Sequence, residues 1–344
     1  MRRRGHRLHL AVPPNSRIFQ EADKSGFNPL ELNPKRIMFP FTILKLARAL
    51  RRHKVQVVNP HSSADGWIAG LAGRLARAPL IIRSRHIEVS YPNRRTSYLA
   101  YGLLPHHVVT TSNRISTGLI ERLRLKRDRV QCISTGIDLE KFDAKMVGTL
   151  HQELGLGSEV PLVGMISVIR SWKGHDYFVE AAKIVAARFP AVHFVVAGGG
   201  NDQRLKKIRA WAKAAGLETR FHLLGHRTDV PNLLASYSVL VLPSTGHEGI
   251  PQIILQSHAM ACPVVGTTAG GIPEVVADEK TGLLVPPKDS QTLATAIHRL
   301  LRNKTFRNEM ATRGQSMVKA NHSQAHMCQQ LEALYQRYLS GNRE

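Results

Sequence analysis

The spacing of apolar residues limits this chain to one class of fold. Short apolar runs alternate with longer segments in which apolar residues recur at helical spacing, and this alternation continues through the whole chain. It predicts strands at Leu8–Val12, Val55–Val58, Leu80–Arg83, His107–Thr110, Val130–Ile133, Leu162–Val168, His193–Ala197, Arg220–Leu223, Val239–Leu242, Pro263–Gly266 and Gly282–Val285. Helices are predicted between them, and the last two cover Ser290–Arg302 and Ser323–Leu339. The pattern is typical of an α/β protein with parallel sheets.

The strand and helix pattern starts again about halfway along the chain. This restart predicts two doubly wound domains, residues 1–149 and 150–344, joined within the polar segment Asp143–Glu159. Such pairs bind ligands in the cleft between the domains, at the carboxyl ends of strands. A doubly wound domain opens with a strand, a glycine turn and a helix. Because residues 1–10 read as the end of a helix entering a second strand, we expect this first βα unit to be absent.

Charge and cysteine content narrow the possible partners and setting. The net charge is +23, and residues 1–149 carry +17 of it, which suggests that this half faces an anionic partner such as a nucleic acid, an anionic lipid or a phosphorylated substrate. A solvated basic surface without such a partner remains the alternative. The three cysteines are far apart and form neither a disulfide framework nor a zinc set, which favours a reducing, cytosolic setting. No apolar run is long enough to cross a membrane.

The densest motif lies around residues 240–274. A strand ends near Pro243, a loop presents Glu248 and Gly249, and a helix with Pro251 in its first turn points its amino terminus back at that loop. A diphosphate would be stabilised there, and the adjacent carboxylate suits sugar hydroxyls. Gly270 and Gly271, before a second short helix, add a backbone anion cradle. Any βα loop can carry glycines and an acid, but the ordered combination favours a functional site.

These residues resemble glycosyltransferase family 4, whose members are retaining, nucleotide-sugar-dependent enzymes of GT-B fold, with two Rossmann-like domains facing across a cleft. The family has two glutamates separated by seven residues; Glu248 matches the first, which contacts the donor sugar, and Gln256 stands at the second. An amide can still exchange hydrogen bonds with a ribose hydroxyl. The resemblance also places Gly249, Ile250, Gly270 and Gly271 at the donor.

A second block that matches the family runs from Gly164 to Asp176. By the resemblance, Arg170 and Lys173 hold the donor diphosphate, although the usual arginine position is occupied by Val168. The glycine turn at Gly199 resembles the family's turn beside the donor, and His226 lies in a segment that resembles the one meeting the nucleobase. His226 could equally be a surface histidine.

Four residues of the first half also match. His86 follows a strand where the family has a histidine near the transferred sugar, and His61 and Asp65 are weaker candidates for the acceptor side. Gly136 lies in a segment that resembles the family's Asn-Gly-Ile-Asp block and is expected to line the cleft. The chain has 17 histidines, so only their position after strands distinguishes His61 and His86 from structural ones.

The resemblance implies a metal-independent hexosyltransferase that uses a nucleotide-diphosphate sugar and no cofactor. The segments Arg170–Asp176 and His61–Trp67 are similar in sequence to enzymes that make bacterial envelope polysaccharide and lipopolysaccharide, so we expect a glycan or lipid-linked acceptor. The segment 39–54 could rest on an anionic membrane from the cytoplasmic side, or simply cover the sheet with a basic outer face. The alternatives are a nucleotide-sugar epimerase of the same fold and a basic nucleic-acid-binding protein; no recognition motif supports the latter.

Overall fold

A computed structural model of the chain describes residues 1–33, 38–87, 94–246 and 248–340. It is an α/β structure with parallel sheets, which confirms the predicted fold class. The first domain contains β1 (Ala11–Val12), α1 (Arg17–Lys24), β2 (Leu30–Glu31), α2 (Phe39–Arg52), β3 (Val57–Val58), α3 (Ser63–Ala76), β4 (Leu80–Arg85), α4 (Arg94–Tyr98), a π-helical turn (Leu99–Leu103), β5 (His107–Thr110), α5 (Asn113–Leu123) and β6 (Val130–Cys132).

The second domain begins the alternation again. It contains α6 (Leu150–Glu153), β7 (Leu162–Ile166), α7 (His175–Arg188), β8 (His193–Ala197), α8 (Asp202–Ala214), β9 (Phe221–Gly225), α9 (Val230–Ser236), β10 (Val239–Leu242), α10 (Gln252–Ala259), β11 (Val264–Thr267), β12 (Leu283–Val285), α11 (Ser290–Arg302), α12 (Lys304–Asn321) and α13 (Gln324–Leu339). The sequence pattern missed α1, β2, α6 and α12.

The strands form three sets. The second domain has a sheet of order β12-β11-β10-β7-β8-β9, whereas in the first domain β3-β4-β5-β6 form one sheet and β1-β2 a separate pair. All pairings between these strands are parallel. Strands covered by helices on both faces need apolar side chains throughout, and β10 and β11 are accordingly buried at every position.

The chain passes between the domains twice. Ile137 and Phe142 already pack in the core of the second domain, so the change of core lies before the predicted join at 143–159. Helix α13 returns, and its Leu334 packs with Leu80 and Ile82 of β4 in the first domain. The carboxyl-terminal helix therefore belongs to the core of residues 1–132 rather than to that of its neighbours in sequence.

Among the described residues, no helix is both long and apolar enough to cross a membrane.

Candidate functional site

Four loops of the second domain meet at the carboxyl ends of their strands. The loop after β7 packs on the glycine turn after β8, where a side chain at Gly198 would lie 1.7 Å from the Ser167 carbonyl oxygen. The same loop packs on the loop after β10, because a side chain at Gly174 would lie 2.0 Å from the Pro243 carbonyl oxygen. Gly174 has a φ of 73°, which glycine adopts without strain. These contacts bring Arg170, Lys173 and Gly199 to one edge of the sheet.

A partly buried ion pair forms the centre of this edge. Lys173 Nζ donates a hydrogen bond to Glu248 Oε1 at 2.6 Å, and Ser244 Oγ donates to the same oxygen at 2.6 Å. The Glu248 side chain is 8% exposed and that of Lys173 is 19% exposed. A buried carboxylate needs such partners, since losing its hydration without compensation is costly. The two residues that sequence analysis assigned to the sugar and to the diphosphate are thus in direct contact.

Arg170 lies at the exposed rim of the same loop. Its guanidinium carbon is 5.1 Å from the centre of the Trp172 ring, a cation–π contact. The Trp172 carbonyl accepts the backbone N–H of Thr245 at 2.8 Å, which ties this loop to the one after β10. Arg170 therefore presents a cation to solvent beside Lys173, as a site for an anion requires.

The loop after β11 supports the loop that carries Glu248. Gly271 N donates to the Glu248 carbonyl oxygen at 3.1 Å. A side chain at Gly270, whose φ is 57°, would lie 2.4 Å from the same oxygen, and one at Gly271 would lie 2.6 Å from the Gly249 oxygen. Gly270 and Gly271 thus permit close stacking of two loops, a packing role that is compatible with the predicted donor role.

Helix α10 starts directly behind Glu248. Pro251 is its N-cap and makes no side-chain capping hydrogen bond, so the first N–H groups of the helix do not donate to a capping side chain. Ile250 is partly buried against the hydrophobic core of the second domain, and Gln256 is half-buried farther along the helix. The positive end of the α10 dipole therefore begins four residues after Glu248, whose side chain pairs with Lys173.

The first domain contacts this loop directly. A side chain at Gly249 would lie 2.5 Å from the His86 carbonyl oxygen, which also accepts a hydrogen bond from Thr111 Oγ1 at 3.2 Å. His86 follows β4 and Thr111 follows β5. The predicted His86 and Glu248 loops are thus brought together across the cleft between the domains.

His61 and His86 form a stacked pair. His61 Nδ1 and His86 Nε2 are 2.9 Å apart, and the ring planes differ by 13°. Burial lowers the pKa of both imidazoles, and for His86 the neighbouring His61 and Arg85 lower it further. One ring must donate and the other accept, so the pair requires at least one neutral imidazole. Asp65 accepts the backbone N–H groups of His61 and Ser62, and so orders the loop that carries His61.

Two of the residues predicted for the donor site lie at the margin of the candidate site. His226 is exposed, and its Cβ is 3.9 Å from the position a Gly199 side chain would take. Gly136 packs on the start of α13, where a side chain would lie 2.6 Å from Gln324 Cα. The close approach of two backbones explains the glycine at position 136, and its predicted place in the donor site remains a prediction.

Sequence analysis missed two participants. Ser244 is fully buried, and its hydroxyl donates a hydrogen bond to the Glu248 carboxylate. Glu274 accepts the backbone N–H groups of Asn113 at 2.6 Å and Arg114 at 3.0 Å, and so joins the second domain to the amino terminus of α5. A carboxylate at a helix amino terminus is favourable. The signal for Glu274 was its position after Gly270-Gly271, but the partner helix is far away in sequence.

Both halves of the chain match models of known protein families. Residues 1–141 match the model for Glycosyltransferase Family 4, and residues 160–303 match the model for Glycosyl transferases group 1. An alpha-D-kanosaminyltransferase from Streptomyces kanamyceticus is 30% identical over 315 residues, which cover 85% of this chain and 80% of that protein. The chain belongs to glycosyltransferase family 4. This family 4 chain is also similar to a UDP-Gal:alpha-D-GlcNAc-diphosphoundecaprenol alpha-1,3-galactosyltransferase from Escherichia coli. The two are 28% identical over 277 residues, which cover 77% of this chain and 71% of that protein.

Solved structures share the fold of this family 4 glycosyltransferase. A glycosyltransferase from Rickettsia africae ESF-5 superposes with a TM-score of 0.90 at 22% identity, covering 100% of this chain and 92% of the other. Anabaena HepE in complex with UDP and glucose superposes with a TM-score of 0.82 at 20% identity, covering 95% and 90%. These likenesses identify the architecture as GT-B.

Proposed function

We propose that this glycosyltransferase moves a sugar, with retention of its anomeric configuration, from a nucleotide-diphosphate sugar to a glycan or lipid-linked acceptor of the bacterial cell envelope. The observation that carries the proposal is the partly buried contact between Lys173 and Glu248 near the amino terminus of α10. It joins a cation for phosphate to a carboxylate for hydroxyl groups within 2.6 Å. The complexes of HepE, which shares this fold, with UDP support a nucleotide donor.

Donor binding would exchange partners within this cluster. The incoming diphosphate competes for the Lys173 ammonium, while the α10 amino terminus and Arg170 add positive charge. Glu248, still held by Ser244, is then free to accept hydrogen bonds from sugar hydroxyls. No metal is needed in this proposal because the protein cations and helix N–H groups offset the charge of the leaving group.

The chemical step follows from that charge distribution. The bond from the anomeric carbon to the phosphate oxygen breaks, and the carbon becomes oxocarbenium-like. The acceptor hydroxyl attacks the same face, its oxygen forms the new glycosidic bond, and its proton passes to the departing phosphate. His86, neutral because burial lowers its pKa, would bind the sugar from the first domain. Contact between the Gly249 and His86 loops would exclude water.

Helix α2 supports an acceptor delivered from a membrane. Phe41 is 69% exposed and Leu44 is 46% exposed, and the exposed Lys45 and Arg48 lie near them at helical spacing. Its Leu46, Ala47 and Leu50 cover the sheet. Apolar side chains beside bases are suited to the surface of an anionic bilayer. We therefore infer peripheral binding at the cytoplasmic face, where the E. coli relative's diphosphoundecaprenol-linked acceptor offers a model for substrate class.

Product analysis tests the proposal. The purified protein is incubated with a panel of UDP-, GDP- and ADP-sugars, with and without a synthetic polyprenyl-diphosphate glycan, in EDTA. The expected result is one acceptor-dependent product whose anomeric configuration, read by NMR, equals that of the donor. An epimerised donor without acceptor, an inverted product or a requirement for added Mg²⁺ would each contradict a stated part.

A further inference from the structure

Two arginines lie inside the first domain, on one face of β4. Arg83 is 2% exposed and Arg85 is 9% exposed, and every residue of the strand is buried. Leu80 and Ile82 pack in one core with α13, whereas Ile81 packs in another with α3. Because side chains alternate along a strand, the two arginines follow Ile81 on the face towards α3. Arginine is rarely buried without a partner, so two such cations side by side require an explanation.

The Arg83 guanidinium occupies a place where α3 has no side chain. A Cβ at Gly66 would lie 0.6 Å from Arg83 Nη1. The guanidinium carbon of Arg83 is 5.0 Å from the centre of the Tyr101 ring, and that of Arg85 is 5.9 Å from the same centre. Cation–π attraction to one shared ring offsets only part of the cost of burying two charges. We call Arg83, Arg85, Tyr101 and Gly66 the β4 arginine site.

The charge of Arg83 is not balanced within the part of the chain that the structure describes. There its buried Nε and Nη1 have no hydrogen-bond partner, and none of the ion pairs includes it. Asp65, next to Gly66 in sequence, already accepts the backbone N–H groups of His61 and Ser62. A guanidinium does not lose its proton in proteins, so Arg83 cannot become neutral. A bound anion would supply the missing acceptors.

The β4 arginine site lies on the acceptor side of the cleft. Arg85 is followed by His86, whose ring pairs with His61 and whose carbonyl oxygen contacts the Gly249 loop. A ligand that enters at the carboxyl end of β4 is therefore held by the first domain. The proposed donor diphosphate site belongs to the second domain, so an anion at the β4 arginine site would be a different one.

We propose that the β4 arginine site binds a phosphate or diphosphate group of the acceptor. Guanidinium groups bind phosphate oxygens through paired N–H bonds, and two of them on one strand face suit a ligand with at least two negative charges. The shared chemistry is a sugar linked to phosphate, carried either by a lipid or by a soluble glycan. That the ligand is the acceptor rests on the proposed function, whereas the anion site itself does not depend on glycosyl transfer.

Pyrophosphate titration tests the anion site without a transfer reaction. Inorganic pyrophosphate is titrated in a calorimeter into the full chain carrying Lys173→Gln, which lacks the cation of the proposed donor site. We expect saturable heat with one site. Adding Arg83→Met should weaken binding at least about tenfold, whereas adding Arg122→Gln, at an exposed position of α5, should not. Arg83→Lys, which keeps the charge without the planar fork, should be intermediate. Absence of heat, or equal affinity with Arg83→Met, would overturn the proposal.

The stability of Arg83→Met distinguishes a ligand site from a structural cation. Methionine is long and uncharged, so removal of an unbalanced buried charge should leave Tm unchanged or raise it when no anion is present. Pyrophosphate should raise Tm of the Lys173→Gln chain but not of the chain that also carries Arg83→Met. A variant that does not fold, or that melts below the natural chain, would make Arg83 a structural cation balanced within the chain and would contradict the anion site.

Three forms of one acceptor glycan test which group the site recognises: the polyprenyl-diphosphate, the soluble 1-phosphate and the methyl glycoside. Arg83→Met should raise KM for phosphorylated forms at least about tenfold and leave KM for the donor and for the methyl glycoside unchanged. A rise with both phosphorylated forms assigns phosphate from either source, and a rise with the lipid-linked form alone assigns the lipid diphosphate. An equal rise with all three forms would refute the acceptor assignment. If no form reacts, the proposed function fails, while the pyrophosphate titration still decides the anion site.

Discussion

The two domains arrange their strands differently and provide different parts of the candidate site. In the second domain β7 is buried at the centre of the sheet, and the loop at its end carries Arg170 and Lys173 against the Glu248 loop. In the first domain β1-β2 and β3-β4-β5-β6 are separate sets, and the paired His61 and His86 come from the loops after β3 and β4. The Lys173–Glu248 pair therefore lies at the edge of one continuous six-stranded sheet, whereas the histidine pair lies at the end of a separate four-stranded sheet.

The sharpest way to break this comparison is to remove the Lys173 cation from the proposed donor site. Lys173→Gln should lower kcat/KM by about 10²–10³-fold, because an electrostatic partner of the leaving group is lost. Steady-state kinetics with the preferred donor measures this change. Lys183→Gln, on the exposed face of α7, is the matched control and should leave kcat/KM unchanged. A Lys173→Gln enzyme with full activity would remove Lys173 from the account.

The pH dependence of unfolding tests whether the two domains unfold as one unit. Burial lowers the pKa of His258 in α10, and of His107 at the start of β5, to about 4. Between pH 6.5 and pH 4 these imidazoles are protonated in the unfolded chain but stay neutral in the folded chain. The free energy of unfolding therefore falls as pH falls. For His258 the loss approaches about 3 kcal/mol at pH 4 and is absent above pH 7.

Urea unfolding at pH 7 and pH 5 measures this effect. His258→Gln keeps a donor for the Val275 carbonyl and does not titrate, so its stability should depend less on pH than that of the natural chain. His107→Gln should act similarly if both domains unfold as one unit. His226→Gln, at an exposed position, serves as control. An unchanged pH dependence in His258→Gln would contradict the assignment.

A smaller effect should distinguish the domains at a membrane. The double variant Phe41→Ser, Leu44→Ser removes the exposed apolar side chains of α2 and should weaken binding to anionic vesicles at least about tenfold, since a side chain contributes about 1.5–3 kcal/mol when it is fully buried and less when it inserts only in part. Flotation with phosphatidylglycerol vesicles reads this out. Leu71→Ser, 39% exposed on α3, is the control. No preference of the natural chain for anionic over neutral vesicles would end the membrane proposal.

The smallest effect concerns contact between the domains. Glu274→Gln replaces charge-assisted acceptance from Asn113 and Arg114 by neutral acceptance at a partly exposed site. We expect about a threefold rise in KM with little change in kcat, because closure weakens while the reacting groups remain. Small-angle scattering should show a slightly larger radius. A fall in kcat with constant KM would assign Glu274 to chemistry instead.

Much of the second domain could be predicted from sequence. His193–Ala197, Val239–Leu242 and Ser290–Arg302 have the predicted bounds, because continuous apolar runs and helical spacing are strong in buried parallel sheets. Helix α12 was missed since its buried side consists of few residues, Met310, Ala311, Gly314 and Val318, within a polar segment. The predicted strand Leu8–Val12 shortens to Ala11–Val12, which pairs only with β2 among the described strands.

For the site, the sequence predicted participants but not their contacts. Lys173 and Glu248 were both selected, yet their pairing depends on loop packing through Gly174 and Pro243. The histidine pair is similar: His61 and His86 each follow a strand, and only the adjacency of β3 and β4 brings the rings together. The contact of Glu274 with α5 joins residues 160 or more positions apart, a relation that local patterns do not encode.

Isothermal titration of nucleotide sugars tests the central claim most directly, that the Lys173–Glu248 edge is a donor diphosphate site. Across the UDP-, GDP- and ADP-sugar panel, at least one donor should give saturable heat with a single site. That affinity should fall at least about tenfold in Lys173→Gln and remain unchanged in Lys183→Gln. Absence of heat with every donor, or equal affinity in Lys173→Gln and the natural chain, would contradict the account.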